Sequence, residues 1–178
     1  MRPGSVLIDH TTSSPDLAER ISEEAAKVGV RSIDAPVSGG DVGARAGQLV
    51  VMCGGEKEAL EELQPVMAHY AKQVELFGGP GKGQHVKAIN QIMIGANMMG
   101  IVEAILYSEK SGVDAAKMIE LLKGGAAGST ALAVLGPRML RRDFDPGFYV
   151  EHLAKDLKII LEEASKMNLS VPATATSH

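Results

Sequence analysis

Four groups of side chains in this 178-residue chain have the types and spacing that chemistry requires. The densest is Gly81-Lys82-Gly83-Gln84-His85-Val86-Lys87-Ala88-Ile89-Asn90-Gln91, a glycine loop running into a helical pattern. Lys87, Asn90, Gln91 and Ile94 fall at i, i+3, i+4 and i+7, so one face of an otherwise apolar helix carries an amine and two amides. Burying such groups without partners costs about 1 to 3 kcal/mol each, so this face either meets solvent as an ordinary helix start or lines a polar cleft. In a cleft, the Lys87 ammonium can polarise a carbonyl oxygen for hydride attack and give it a proton; in reverse, the amine can help remove a hydroxyl proton. The loop itself says little. Gly81-x-Gly83 lacks the third glycine of a dinucleotide fingerprint, and Gly-Lys-Gly is not a P-loop.

The second group is Asp34-Ala35-Pro36-Val37-Ser38-Gly39-Gly40, read as a strand ending in a small hydroxyl residue and two glycines. Consecutive glycine N–H groups can turn inward as an anion nest and Ser38 adds a donor, so a carboxylate would fit; the alternative is a plain strand-to-loop turn. Third, Asp9-His10-Thr11-Thr12-Ser13-Ser14-Pro15 follows the first strand, where open α/β sheets bind ligands. Its serines also suit helix capping, and both uses are compatible. Fourth, Phe144-Asp145-Pro146-Gly147-Phe148 precedes a helix whose apolar stripe (Leu153, Leu157, Ile160, Leu161, Ala164) leaves Lys155 to one side, by default a surface lysine. His69, His85 and His152 show no metal-ligand spacing, so no metal is expected.

The elements that must position these groups change character near residue 80. Before it, β-branched runs alternate with helical patterns, the mark of an α/β layer. Strands are expected at 5–9, up to Asp34, at 48–53 and at 73–77, with helices from Ser13 or Ser14 with Pro15 to about Lys27 and from about Glu56 to Ala71; together they make about half of a doubly wound sheet. After Gly78-Gly79-Pro80 long helical patterns take over, at about 84–111, 114–123, 129–141 and 149–167. The domains are therefore drawn as 1–79, α/β, and 80–178, all-α. The first strand is apolar throughout, as if buried on both faces, yet nothing precedes it to cover it, and Pro172 to Thr176 begins a further helix. A chain truncated at both ends is the expectation.

Bulk properties narrow the class. A net charge of −4 with no long run of either sign argues against nucleic acid as the main partner. Cys53, the single cysteine, follows Val50, Val51 and Met52 and reads as part of a buried strand in a reducing compartment. No apolar stretch is read as approaching the roughly 20 residues of a membrane span, and residues 1–5 do not resemble a signal peptide, so no membrane is expected. The location read from this is cytoplasmic, or an organelle matrix if a targeting segment has been removed.

Taken in order, Asp-x-(Ser/Thr)-(Ser/Thr)-x-x-Pro, Asp-Ala-Pro-Val-Ser-Gly-Gly, Gly-x-Gly-x-x-x-Lys-x-x-Asn, Phe-x-Pro-Gly-Phe and Lys-Asp-Leu form a series that resembles the β-hydroxyacid dehydrogenases. That family includes 3-hydroxyisobutyrate dehydrogenase, 2-hydroxy-3-oxopropionate (tartronate semialdehyde) reductase and glyoxylate/succinic semialdehyde reductase. The resemblance runs from Pro3 to Thr176. It implies the C-terminal part of a Rossmann-like domain joined by a long helix to a 6-phosphogluconate-dehydrogenase-like helical domain. It implies an NAD- or NADP-dependent oxidoreductase interconverting a small 3-hydroxy acid and its semialdehyde. By the same resemblance Lys87 matches the catalytic lysine; Ser38, Gly39 and Gly40 match the substrate-carboxylate loop; Asn90 and Gln91 lie at the substrate; and Thr12, Lys155 and Phe148 match cofactor contacts. A homo-oligomer, dimer or tetramer, through the helical domain is implied too. Gln91 stands where many members have a second Asn, a form closer to the tartronate semialdehyde reductase branch. The N-terminal Gly-x-Gly-x-x-Gly unit, with the residue that distinguishes NAD from NADP, has no counterpart. The 6-phosphogluconate dehydrogenases, with His-Asn-Gly after the lysine, rank lower. The competing reading is a non-catalytic binding or oligomerisation fragment of the same family.

Overall fold

The computed structural model describes all residues, 1–178. They divide into two compact units, Met1–Asn90 and Gln91–His178. In the first, β1 (Val6–Asp9) leads through α1 (Pro15–Ala26) to β2 (Arg31–Asp34). Then come β3 (Val37–Ser38), α2 (Gly40–Arg45), β4 (Leu49–Gly55), α3 (Lys57–Met67) and β5 (Ala71–Leu76). Helix α1 begins where sequence predicts, because Pro15 sets the first-turn backbone and the Ser14 hydroxyl accepts the Leu17 N–H at 3.2 Å.

The sheet is mixed, an arrangement of strand directions that the sequence reading of about half a doubly wound sheet did not specify. β1 pairs parallel with β2 and β4 pairs parallel with β5, but β2 and β3 both run antiparallel to β4. The two antiparallel pairings share one register, Ile33 opposite Gly55 and Ser38 opposite Val50, so β2 and β3 form a single line broken at Ala35-Pro36. Pro36 has no N–H to give, although its carbonyl still accepts the Met52 N–H at 3.0 Å. Direction follows from the connection. Only the short stretch containing α2 separates β3 from β4, too little for the crossover of a dozen or more residues that a parallel pairing needs. Strand β1 stands at the sheet edge and is half-buried along its length rather than covered on both faces. The core beneath α3 gathers Ile33, Ala35, Val51, Cys53, Leu60 and Met67.

Helix α4 (Lys82–Ser111) begins in this unit and continues into the second, which adds α5 (Ala115–Leu122), α6 (Thr130–Leu140), α7 (Val150–Lys166) and α8 (Pro172–Ser177). Asp114 and Ser129 cap α5 and α6. Ile101, Ile119 and Leu132 form a small core. Contrary to the sequence reading, α4 is long and apolar enough, by length and composition only, to cross a membrane. Asn90, Gln91 and Asn97 interrupt the apolar run, but the Ile, Met, Leu, Val and Ala residues around them keep its mean hydropathy high.

Candidate active site

The start of α4 is held by Asp34, the last residue of β2. Its buried carboxylate accepts the Gly81 N–H and the Gln84 N–H, each at 2.9 Å, and so serves the helix terminus from a different strand. Burial pushes its carboxyl above the usual range, while the hydrogen bonds from Gly81 and Gln84 pull it back. Two glycines make this seat possible. A Cβ on Gly83 would strike the Met52 carbonyl and come within 2.6 Å of the Asp34 carbonyl, and one on Gly54 would lie 2.7 Å from the Gly83 nitrogen. The Gly81-x-Gly83 loop is therefore explained by close packing.

One turn further on, Lys87 is 7% exposed and its ammonium donates to the Val37 carbonyl at 2.9 Å. That carbonyl immediately precedes Ser38, so the buried amine sits at the base of the Ser38-Gly39-Gly40 loop. Gly39 and Gly40 have φ of +129° and +63°, conformations open to glycine; Gly39 is the N-cap of α2 and Gly40 its first residue. Sequence alone offered solvent or cleft for the polar stripe; its buried members, Lys87 and Gln91, have hydrogen-bond partners. Asn90 is half-buried. Gln91 is 1% exposed and donates from Nε2 to Asp156 Oδ2 at 2.7 Å. The same carboxylate of α7 meets the Lys155 ammonium through Oδ1 at 2.8 Å, so Lys155 is not a loose surface lysine. Phe148 is half exposed, its ring centroid 5.9 Å from that of His152.

Thr12 lies in the loop after β1, between Thr11, whose N–H and hydroxyl both donate to Asp9 Oδ1, and Ser13, whose buried hydroxyl oxygen has no hydrogen-bond partner. An orphaned hydroxyl beside two threonines at the carboxyl end of a strand fits the polar part of a nucleotide cofactor. The residues that sequence reasoning missed are Asp34, Gln84 and Asp156. All three are buried polar side chains that lie inside the motifs singled out by sequence, which gave them no role of their own.

Comparison with known proteins sharpens the class. Residues 1–79 match the profile described as the NAD-binding domain of 6-phosphogluconate dehydrogenase. Residues 81–178 match that described as NAD-binding of NADP-dependent 3-hydroxyisobutyrate dehydrogenase. The chain is 47% identical over 175 residues to the Arabidopsis thaliana probable 3-hydroxyisobutyrate dehydrogenase-like 1, mitochondrial, covering 98% of this chain and 52% of that protein. It is 38% identical over 173 residues to the 2-hydroxy-3-oxopropionate reductase of Escherichia coli, covering 97% and 59%. In structure it is similar to Mycobacterium tuberculosis 3-hydroxyisobutyrate dehydrogenase with L-serine (TM-score 0.91, 28% identity, 99% of this chain and 63% of that one). The chain belongs to the β-hydroxyacid dehydrogenase family of NAD- or NADP-dependent oxidoreductases. It spans between half and two thirds of the length of these relatives.

Proposed function

We propose that this protein interconverts a small 3-hydroxy acid and its semialdehyde, of the 2-hydroxy-3-oxopropionate or 3-hydroxyisobutyrate type, using NAD or NADP. The observation that carries this is the buried Lys87 ammonium 2.9 Å from the carbonyl that leads into Ser38-Gly39-Gly40. A carboxylate held by the Ser38 hydroxyl and the Gly39 and Gly40 N–H groups would bring the carbonyl of the same small molecule toward Lys87. In reduction, Lys87 gives a proton to the carbonyl oxygen as negative charge develops there; in oxidation, it takes the hydroxyl proton. Asn90 and Gln91 hold the substrate with amide groups, Gln91 being oriented by Asp156. Thr12, Lys155 and Phe148 contact the cofactor, which when bound supplies or accepts the hydride. The Asn90-Gln91 pair, the form closer to the 2-hydroxy-3-oxopropionate (tartronate semialdehyde) reductases, favours 2-hydroxy-3-oxopropionate.

The test is turnover of 2-hydroxy-3-oxopropionate, glyoxylate and succinic semialdehyde with NADH and with NADPH, by the protein and by Lys87→Ala. Loss of general acid catalysis should lower kcat by about 10²- to 10⁴-fold while the circular dichroism spectrum is unchanged. A Lys87→Ala protein that keeps its rate would remove the assignment.

A homo-oligomer is part of the same proposal. Met93, Val102, Leu106 and Tyr107 of α4 are exposed, and a groove of about 510 Å³ lined by Met93, Ile101, Met118 and Leu122 opens beside them. Apolar surface of this kind on a helical unit suits a second copy of the chain.

A further inference from the structure

Gln84 stands three residues before Lys87 and is 1% exposed, yet it makes no contact that the proposed chemistry uses. Its side-chain amide reaches into the loop after β1. There Nε2 donates to the Thr11 carbonyl at 2.8 Å, and Oε1 accepts the Ser13 N–H at 3.1 Å. The amide thus pairs with the backbone on both sides of Thr12, as a neighbouring strand would. Its own backbone N–H donates to Asp34 Oδ2 at 2.9 Å, so the residue is held at both its backbone and its side chain. Ordering a glutamine side chain costs up to about 2 kcal/mol of rotamer entropy, which two buried hydrogen bonds offset. The Thr12 loop and Lys87 are therefore both referenced to one helical turn, in which Gln84 and Lys87 are about 4.5 Å apart along the axis.

We propose that Gln84 is a positioning residue: it holds the Thr12 loop in register with Lys87 so that the nicotinamide cofactor meets the acid–base group at the correct height. This rests on the functional reading above. Misplacing reacting groups by about 1 Å can cost on the order of a hundredfold, so such a brace matters to the reaction as well as to folding.

The experiment is steady-state kinetics with NADPH and NADH on the protein and on Gln84→Met and Gln84→Glu. Gln84→Met keeps the length and loses both hydrogen bonds; KM for the nucleotide should rise about tenfold, and kcat should fall by about ten- to a hundredfold as the cofactor and Lys87 lose their alignment. Gln84→Glu separates a brace from mere packing. Its neutral acid can donate to Thr11 and accept from Ser13, whereas its carboxylate has no donor for the Thr11 carbonyl. Burial raises such an acid, so at about pH 5 this variant should show the unaltered protein's KM, and at about pH 8 that of Gln84→Met. The unaltered protein should show no such change. An unaltered KM in Gln84→Met, or a Gln84→Glu profile parallel to that of the unaltered protein, overturns the role. If Gln84→Met does not fold, the Gln84→Glu profile decides alone. Absence of turnover in the unaltered protein overturns the functional reading itself, and the role of Gln84 with it, before any variant is made.

Discussion

Asp156 illustrates what a single buried charge can organise. At 3% exposure, a carboxylate survives only with partners, and here the partners are the Gln91 amide and the Lys155 ammonium, two groups the family resemblance assigns to substrate and cofactor. Cys53 is the opposite case, a buried group kept neutral. It is fully covered in β4, and burial, with a smaller push from the Asp34 charge, raises its thiol to about 12. The folded value lies above the unfolded value of about 8.5, so folding favours the protonated thiol. The stabilisation is complete below about pH 8.5 and declines toward pH 12 by about 1.4 kcal/mol per pH unit. The gap in urea-unfolding free energy between the protein and Cys53→Ala should shrink at about that rate between about pH 9 and 11. A gap independent of pH would contradict it.

At the scale of elements, the decisive contact is the seat of α4 against the ends of β2 and β4. Gly83→Ala would drive a methyl into the Met52 and Asp34 carbonyls, which are backbone atoms with no room to retreat. A loss of about 3 kcal/mol or more is expected in chemical denaturation. Gly79→Ala in the same loop meets nothing within 4 Å and should stay within about 0.5 kcal/mol. The helices around the site were readable because each announces itself locally: Ser14-Pro15 opens α1, and Lys87 sits on a helix whose limits agree with the pattern to within two residues. The split of β2 from β3 and the small helix α2 were not readable, since two-residue strands and six-residue helices leave no period to detect. Strand direction also escaped, because alternation along a strand is the same whichever way its neighbour runs. Periodicity names the face a residue lies on and says nothing of its partner, which is why the partners of Asp34, Gln84 and Asp156 emerged only in three dimensions.

For the whole molecule, the exposed apolar side of α4 predicts assembly. Leu106→Glu places a charge where the proposed interface would desolvate it, and light scattering coupled to gel filtration should report a shift from a multimer to a single chain's mass with helicity retained. A protein that is already a single chain before substitution would refute the interface. The sheet's topology has a different bearing, on the order in which the chain can fold. Val6 pairs with Arg31, Ile33 with Gly55, Val37 with Val51 and Leu49 with Ala71, separations of 25, 22, 14 and 22 residues. No strand waits for a distant segment, so each loop closes at a similar and modest entropy cost. As the nascent polypeptide leaves the ribosome, β2, β4 and β5 each find a neighbour already delivered and β3 waits only for β4, so these strands can pair in the direction of translation, with the seat for α4 built before α4 itself emerges.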